Sequence, residues 1–460
     1  MTYFFETYGC QMNLAESAAF TADLKERGWL PAENGADADL VLLNTCSVRI
    51  TAEERVFGRI AHYVSVKKKL LAAGGGAPAL VVAGCMAQRL GEGLKEKYPL
   101  LDYVMGTAAK SSFPLILQDV ERRGGLKGNG GGGQRESDLS ESPAFSFSRS
   151  HIEEGKFSSF VPIMHGCDNF CSYCIVPYVR GREVSRSPKE VLDEINLAAG
   201  RGIRDVTLLG QNVNSYVWQD EGGSRKLDFA GLLELAAREA AKTGLSRLRF
   251  LSANPANFSD AATRVMAENP CFCRHLHLPV QSGSDAVLEA MRRGYGRERY
   301  LQLAASIRSA MPDMSFSTDI LVGFPGETDE DFQMTLSLME EVKFSYAYMY
   351  HFNPREGTAA YSLPGRISEE VKRARLSQVI ELQKKHTKEL LKKRLGSNCT
   401  VLIEGISRKN ADELIARTEK DEMVVVPGPA SLTGSFAQVN LRSLRGNTFR
   451  AKELSPCPGV

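Results

Sequence analysis

Short apolar runs alternate with stretches of helical periodicity over the first ~110 residues. The runs are Tyr3–Phe5, Leu40–Asn44, Leu80–Ala83 and Tyr103–Met105, and helical patterns cover Asn13–Arg27 and the stretch from about Thr51. Strands separated by helices indicate parallel βαβ units, so the pattern predicts an α/β domain. Asn13 is the expected N-cap of the first helix and Gly28 its expected C′ residue.

A second alternation begins at Phe160, with runs at Phe160–Met164, Val206–Leu209, Leu248–Leu251, His275–Val280, Phe316–Val322 and Tyr346–Phe352. Six strand–helix units suit an open or partial (β/α)6 barrel, although periodicity alone does not exclude a doubly wound sheet. Between the two alternations, Arg123–Ser150 is rich in Gly, Ser and charge, including Gly-Asn-Gly-Gly-Gly-Gly at 128–133. Such a composition buries too little apolar area to hold one conformation and is expected to be a flexible linker. After Pro364 comes a long helical pattern to Leu395, followed by short alternating runs at Thr400–Ile403, Met423–Val426 and Ala437–Leu441. That tail predicts a small antiparallel β-barrel of the kind that binds single-stranded nucleic acid.

The length of 460 residues exceeds what a single core supports, so several domains are expected. The net charge of +2 is unevenly spread: Val371–Gly396 carries nine Lys or Arg against two Glu, leaving the rest slightly acidic. A basic surface near the C-terminal end follows, and local distribution is what matters for nucleic acid. No basic region followed by an apolar stretch opens the chain and no long uninterrupted apolar segment occurs, which predicts a cytoplasmic protein without membrane association.

Ten cysteines in such a chain read as metal or redox ligands rather than a disulfide framework. Cys167-Asp-Asn-Phe-Cys171-Ser-Tyr-Cys174 directly follows an expected strand. Three thiolates at this spacing hold three irons of a [4Fe–4S] cluster and leave the fourth iron open. S-adenosylmethionine can chelate there through its amino and carboxylate groups, so that a cluster electron cleaves its S–C5′ bond to a 5′-deoxyadenosyl radical. A structural zinc knuckle is the bland alternative, but zinc takes four tetrahedral ligands, commonly in C-x2-C pairs.

Cys10, Cys46 and Cys85 are far apart in sequence, yet each lies just beyond the C-terminal end of an expected parallel strand. Those ends share one sheet edge, where ligands of open α/β sheets bind, so the three thiols should converge on a second, auxiliary cluster. Taken alone, three unrelated buried cysteines is a serious alternative, since free Cys is commonly buried. Cys271, Cys273, Cys399 and Cys457 lack this context and are assigned structural or surface roles.

Three further strand ends, around Gln211–Asn214, Gln281–Ser284 and Asp319–Glu327, combine Gly with polar residues suited to close approach to a ribose or adenine. Ordinary βα turns have the same composition. Tyr8, Arg49, Arg180, Arg182, Arg186, Arg292, Arg293 and Arg297 lie in or near these loops as candidate phosphate contacts, against the commoner role of solvated surface charge.

Tyr8-Gly-Cys-Gln-Met-Asn13, Asn44-Thr-Cys-Ser-Val-Arg49, Gly84-Cys-Met-Ala-Gln-Arg89, Gly166–Cys174 and His277–Asp285 together resemble the methylthiotransferase family of radical S-adenosylmethionine enzymes. The resemblance covers nearly the whole chain, and the residues after Cys10 and Cys46 are similar to its dimethylallyladenosine branch. It implies residues 1–122 as the methylthiotransferase domain, 123–150 as linker, 151–386 as the radical domain and 387–455 as a tRNA-binding TRAM module.

It also implies two [4Fe–4S] clusters, a radical one on Cys167, Cys171 and Cys174 and an auxiliary one on Cys10, Cys46 and Cys85. Tyr173, Gln211, Gln281 and Asp319 are the candidate contacts to S-adenosylmethionine. The implied activity is conversion of N6-dimethylallyladenosine at position 37, in the tRNA anticodon loop, to its 2-methylthio derivative. The implied partners are tRNA and an electron donor such as flavodoxin or ferredoxin, with the protein itself a monomer. Two alternatives stand beside it. One is a sister enzyme acting on threonylcarbamoyl-adenosine or a ribosomal-protein aspartate. The other is a non-enzymatic RNA-binding or redox-sensing iron–sulfur protein. The Gly-rich insert at 124–133 departs from the family pattern and leaves every proposed ligand in place.

Overall fold

The computed structural model describes residues 1–47, 50–124 and 155–457. The linker expected at 123–150 lies almost wholly outside the described residues, as does Arg49. The chain separates into two compact units. The first holds the N-terminal residues together with two later segments, His165–Asp168 and Ile175–Val184; the second holds the remainder.

In the first unit β1 (Thr2–Thr7), β2 (Leu30–Pro31), β3 (Leu40–Thr45), β4 (Ala79–Gly84) and β5 (Tyr103–Met105) form one sheet in the order β2-β1-β3-β4-β5. Every pairing is parallel. Leu40 and Leu42 face a core with Phe20, Leu24 and Phe113, while Val41 and Leu43 face another with Val56, Ile60 and Val82. The strand period of two thus sends alternate residues into two buried layers, which is why β3 reads as an unbroken apolar run.

Helix α1 spans Gln11–Glu26 with Cys10, not Asn13, at its N-cap. Asn13 sits inside the first turn, where its amide is used across the sheet rather than on its own helix. Gly28 has φ +76°, as its expected C′ role requires.

In the second unit six strands follow one another in chain order: β6 (Ser158–Pro162), β7 (Asp205–Leu209), β8 (Arg247–Phe250), β9 (His275–His277), β10 (Ser315–Val322) and β11 (Tyr346–His351). β6, β7 and β8 pair in parallel, as do β9, β10 and β11, and a parallel bridge between Leu248 and Phe272 joins the two sets. No pairing closes β11 onto β6 among the described residues, so this is the open barrel that the six repeats predicted.

The long helix Glu369–Lys393 leads into a seven-stranded sheet between Asn398 and Pro456, antiparallel except where Thr448–Arg450 runs parallel to Met423–Pro427. Its core gathers Val401, Ile403, Leu414, Val424, Val439 and Phe449. Arg247 and Arg249, at the start of β8, donate to the carbonyls of Thr400, Arg417, Thr418 and Glu419 at 2.9–3.3 Å. The sheet is therefore tied to the N-terminal end of the barrel strands.

Candidate metal centres

Adjacency of β1, β3 and β4 brings Cys10, Cys46 and Cys85 to neighbouring strand ends in the first unit. Gly9, at φ +130°, allows the closest approach: a Cβ there would lie 2.5 Å from the Cβ of Cys46. Asn13 Nδ2 donates to Asn44 Oδ1 at 3.1 Å and to the Thr45 carbonyl at 3.0 Å, while Asn44 Nδ2 donates to the Asn13 carbonyl at 2.9 Å and Ser17 Oγ at 3.0 Å. These buried amides lock the loop after β1 to the loop after β3. Among the described residues no three metal-binding side chains converge on one point, as they would around a single ion. A cubane gives each thiolate its own iron, so a more open triplet is the arrangement it needs.

Behind the thiols lies a buried charged group. Arg180 ends the short helix α2 (Val176–Arg180), and Ile175 and Val179 beside it pack on Cys85. Arg180 Nη1 donates to Glu16 Oε1 at 2.7 Å, Lys110 Nζ donates to the same oxygen, and the three side chains are 3%, 6% and 8% exposed. These side chains carry two positive charges against one negative, and buried charges require partners.

Burial drives the Cys85 thiol upward, and Arg180 works against that rise. Despite its burial the Glu16 carboxyl is held down at about 2 by Arg180 and Lys110, while His165 falls to about 2 through burial and the same two cations. The surplus positive charge matches the net negative charge of a [4Fe–4S]2+ core bound by three thiolates, so the residues present fit such a group. Cys167 also belongs to this unit, its amide donating to the Gly181 carbonyl at 3.2 Å. A Cβ on the preceding Gly166, at φ +80°, would meet the Arg182 carbonyl at 2.0 Å.

Cys171 and Cys174 belong to the second unit, where a turn bond from the Cys174 amide to the Cys171 carbonyl (2.9 Å) joins them. Ser172 between them is pinned by its amide on the Met291 carbonyl, its hydroxyl on the Ala290 carbonyl, and its own carbonyl accepting from Ala360. Arg293 donates to Cys171 Sγ at 3.4 Å, to Tyr173 Oη at 3.5 Å and to the Pro279 carbonyl at 3.0 Å. Sequence reasoning placed Arg293 among the phosphate contacts; the structure makes it a buried donor to a cysteine sulfur.

Asp319 lies in mid-strand on β10, with Oδ1 3.7 Å from His277 Nε2. His277 Nδ1 faces Ser317 Oγ at 3.0 Å, and its ring meets Tyr348 edge-on. Gln281 is buried at φ +75°, its backbone bonded on both sides to β10 at Asp319 and Leu321. Gln211 is half-buried in the loop after β7. His277 and Tyr348 were not singled out as site residues; register opposite Ser317 and Asp319 is the signal that finds them.

Other polar residues of the cofactor-like loops are used internally. Asn214 exchanges bonds with Asn254, Ser284 caps the helix Asp285–Ala290, and the Glu327 carboxylate accepts from Gly323 and Arg375.

Two more candidate phosphate contacts are buried: Arg180 as described, and Arg186, which pairs with Glu194 and donates to the Pro162 carbonyl at 3.3 Å. Arg297 is half-buried against Glu341 and the Met334 carbonyl, whereas Arg182 and Arg292 are exposed. Tyr8 donates to Glu6 at 2.5 Å. On the long helix Lys372 and Arg375 are buried, leaving Arg373, Lys384, Lys385, Lys388, Lys392 and Lys393 in solvent.

Of the four cysteines expected to have structural or surface roles, Cys273 is buried and pushed up to about 12 by desolvation. No described helix is long and apolar enough to cross a membrane.

Three family models match: the Radical SAM superfamily over residues 161–339, the Uncharacterized protein family UPF0004 over 2–106 and the TRAM domain over 392–453. A tRNA-2-methylthio-N(6)-dimethylallyladenosine synthase of Treponema denticola is 47% identical, over 98% of this chain and 99% of its own. The protein of that name from Geobacter sulfurreducens is 42% identical over 95% and 94%. A radical S-adenosylmethionine methyltransferase of Kitasatospora setae, TsrM, has a similar fold, with a TM-score of 0.57 at 14% identity over 78% of this chain and 74% of that one.

Proposed function

Since the chain belongs to the tRNA-2-methylthio-N(6)-dimethylallyladenosine synthase family of radical S-adenosylmethionine proteins, we propose that it places a methylthio group on N6-dimethylallyladenosine 37 of tRNA. Near-complete coverage of relatives bearing that name carries the reading. The Cys10, Cys46 and Cys85 strand-end triplet supports it, because a radical motif alone is shared with many other chemistries.

In this reading Cys167, Cys171 and Cys174 hold one [4Fe–4S] cluster and Cys10, Cys46 and Cys85 a second. When bound, the clusters and S-adenosylmethionine supply one-electron reduction and a sulfur-carrying iron site. The chain's own residues orient and insulate. Ser172 holds the turn between Cys171 and Cys174 rigid, and Arg293 gives Cys171 a cationic donor. Tyr173, Gln211, Gln281 and Asp319 are the contacts to S-adenosylmethionine, with His277 Nε2 3.7 Å from the Asp319 carboxylate. The exposed lysines of the long helix and the C-terminal sheet take the phosphates of tRNA, and the reacting adenine is presented unstacked from its loop. The protein works as a monomer in the cytoplasm, with a donor such as flavodoxin or ferredoxin supplying electrons.

Nucleoside mass spectrometry of tRNA from a deletion strain tests this. Loss of 2-methylthio-N6-dimethylallyladenosine with accumulation of N6-dimethylallyladenosine is expected, and restoration by the intact gene completes it. An unchanged nucleoside profile would sink the assignment.

A further inference from the structure

The group formed by Glu16, Lys110 and Arg180 leaves one donor and one acceptor over, Arg180 Nη2 and Glu16 Oε2. Arg180 Nη1 is engaged with Glu16, but Arg180 Nη2 is buried without a hydrogen-bond partner, and the side chain is only 3% exposed. A buried guanidinium nitrogen with nothing to donate to is costly, since the desolvation of a charged donor is uncompensated. The same helix packs through Val179 against Cys85, and Thr107 Oγ1 donates to the Val179 carbonyl, so α2 is fixed in the unit that carries Cys10, Cys46 and Cys85. The orphan donor, on a helix packed against Cys85, asks for an acceptor beside the thiols.

We infer that Arg180 is a positioning residue for the auxiliary cluster: its free Nη2 donates to the cluster's sulfur, and with Lys110 it holds the added electron density when the cluster is reduced. Glu16 acts in the opposite sense, fixing Arg180 in place while offsetting part of its charge. The inference rests on the reading that Cys10, Cys46 and Cys85 hold a cluster. A nearby cation stabilises the reduced, more negative cluster and raises its potential; removing a nearby anion does the same.

The test uses the full chain with Cys167, Cys171 and Cys174 replaced by Ala, reconstituted anaerobically so that only the auxiliary site can load. Iron content comes first, then the midpoint potential by redox titration followed by electron paramagnetic resonance. Arg180→Gln is expected to lower the potential by at least about tenfold in the reduction equilibrium, ~59 mV for one electron. Glu16→Gln should raise it, and Arg180→Lys should stay near the parent.

Opposite signs for the two Gln variants are what a merely structural role would not produce. If Arg180→Gln does not fold, Glu16→Gln is expected to raise the potential while Arg180→Lys stays near the parent, and a Glu16→Gln potential that is unchanged or lower overturns the role of Arg180. Four irons with an unchanged potential in both Gln variants, or shifts of the same sign, would overturn the role of Arg180. A parent protein that binds no iron would overturn the cluster reading itself, and the inference with it.

Discussion

Arg375 and Arg186, buried in the second unit, are arranged differently from Arg180 in the first. In the second unit Arg375 meets Glu327 at 2.7 Å and Asp329 at 2.6 Å, and Arg186 meets Glu194 and Glu190, so each cation faces two carboxylates. In the first unit Arg180 and Lys110 share one carboxylate, Glu16. The former pairs clamp elements together: Arg375 ties the long helix to the loop after β10. Burial still outweighs that ion pair at Glu327, whose carboxyl sits above its usual range. Arg375 and Arg186 each have two carboxylates to face, whereas Arg180 divides a single one with Lys110.

The sharpest break of this contrast is functional. Replacing Cys10 and Cys46 by Ala should abolish the methylthio product while leaving uncoupled 5′-deoxyadenosine formation measurable by chromatography. Loss of both activities with the radical cluster still loaded would show that the two triplets are not separable. Next comes stoichiometry: reconstituted protein should hold about eight irons, and Ala at Cys167, Cys171 and Cys174 should remove about half, by iron assay.

Third, Arg375→Met leaves Glu327 as an uncompensated buried carboxylate and should cost about 3–5 kcal/mol in denaturant unfolding, with the cluster ligands untouched. Fourth, Asn13→Ala strips Asn44 of a buried partner and should cost about 1–3 kcal/mol, and it should also reduce iron at the auxiliary site, which Arg375→Met should not. The smallest effect is on tRNA affinity. Ala at Lys384, Lys385 and Lys388 should weaken binding similarly for all tRNAs and flatten the salt dependence by about one unit of slope for each phosphate no longer neutralised. Point variants suit this better than deleting the C-terminal sheet, because Arg247 and Arg249 would lose their four carbonyl acceptors.

Local features were legible in the amino-acid order. The spacing of Cys167, Cys171 and Cys174 is a property of eight consecutive residues. The apolar runs announced each barrel strand, because strand length and flanking Gly are local. Even the auxiliary triplet was accessible, since a cysteine after each of three parallel strands must lie on one edge once those strands are neighbours.

What tertiary structure alone decided is which charges are buried. Arg180, Arg186 and Arg293 look the same in sequence as Arg182 and Arg292, and helix or loop position does not say which will meet a carboxylate, a carbonyl or a thiol. Asn13 has the chemistry of an N-cap, yet spends its amide on residues 31 and 32 positions away. Glu16, Lys110 and Arg180 come from three distant points of the chain, and nothing local couples them. Their meeting depends on which sheet face each helix covers, and its energetic weight comes from the removal of water, which no stretch of sequence determines by itself.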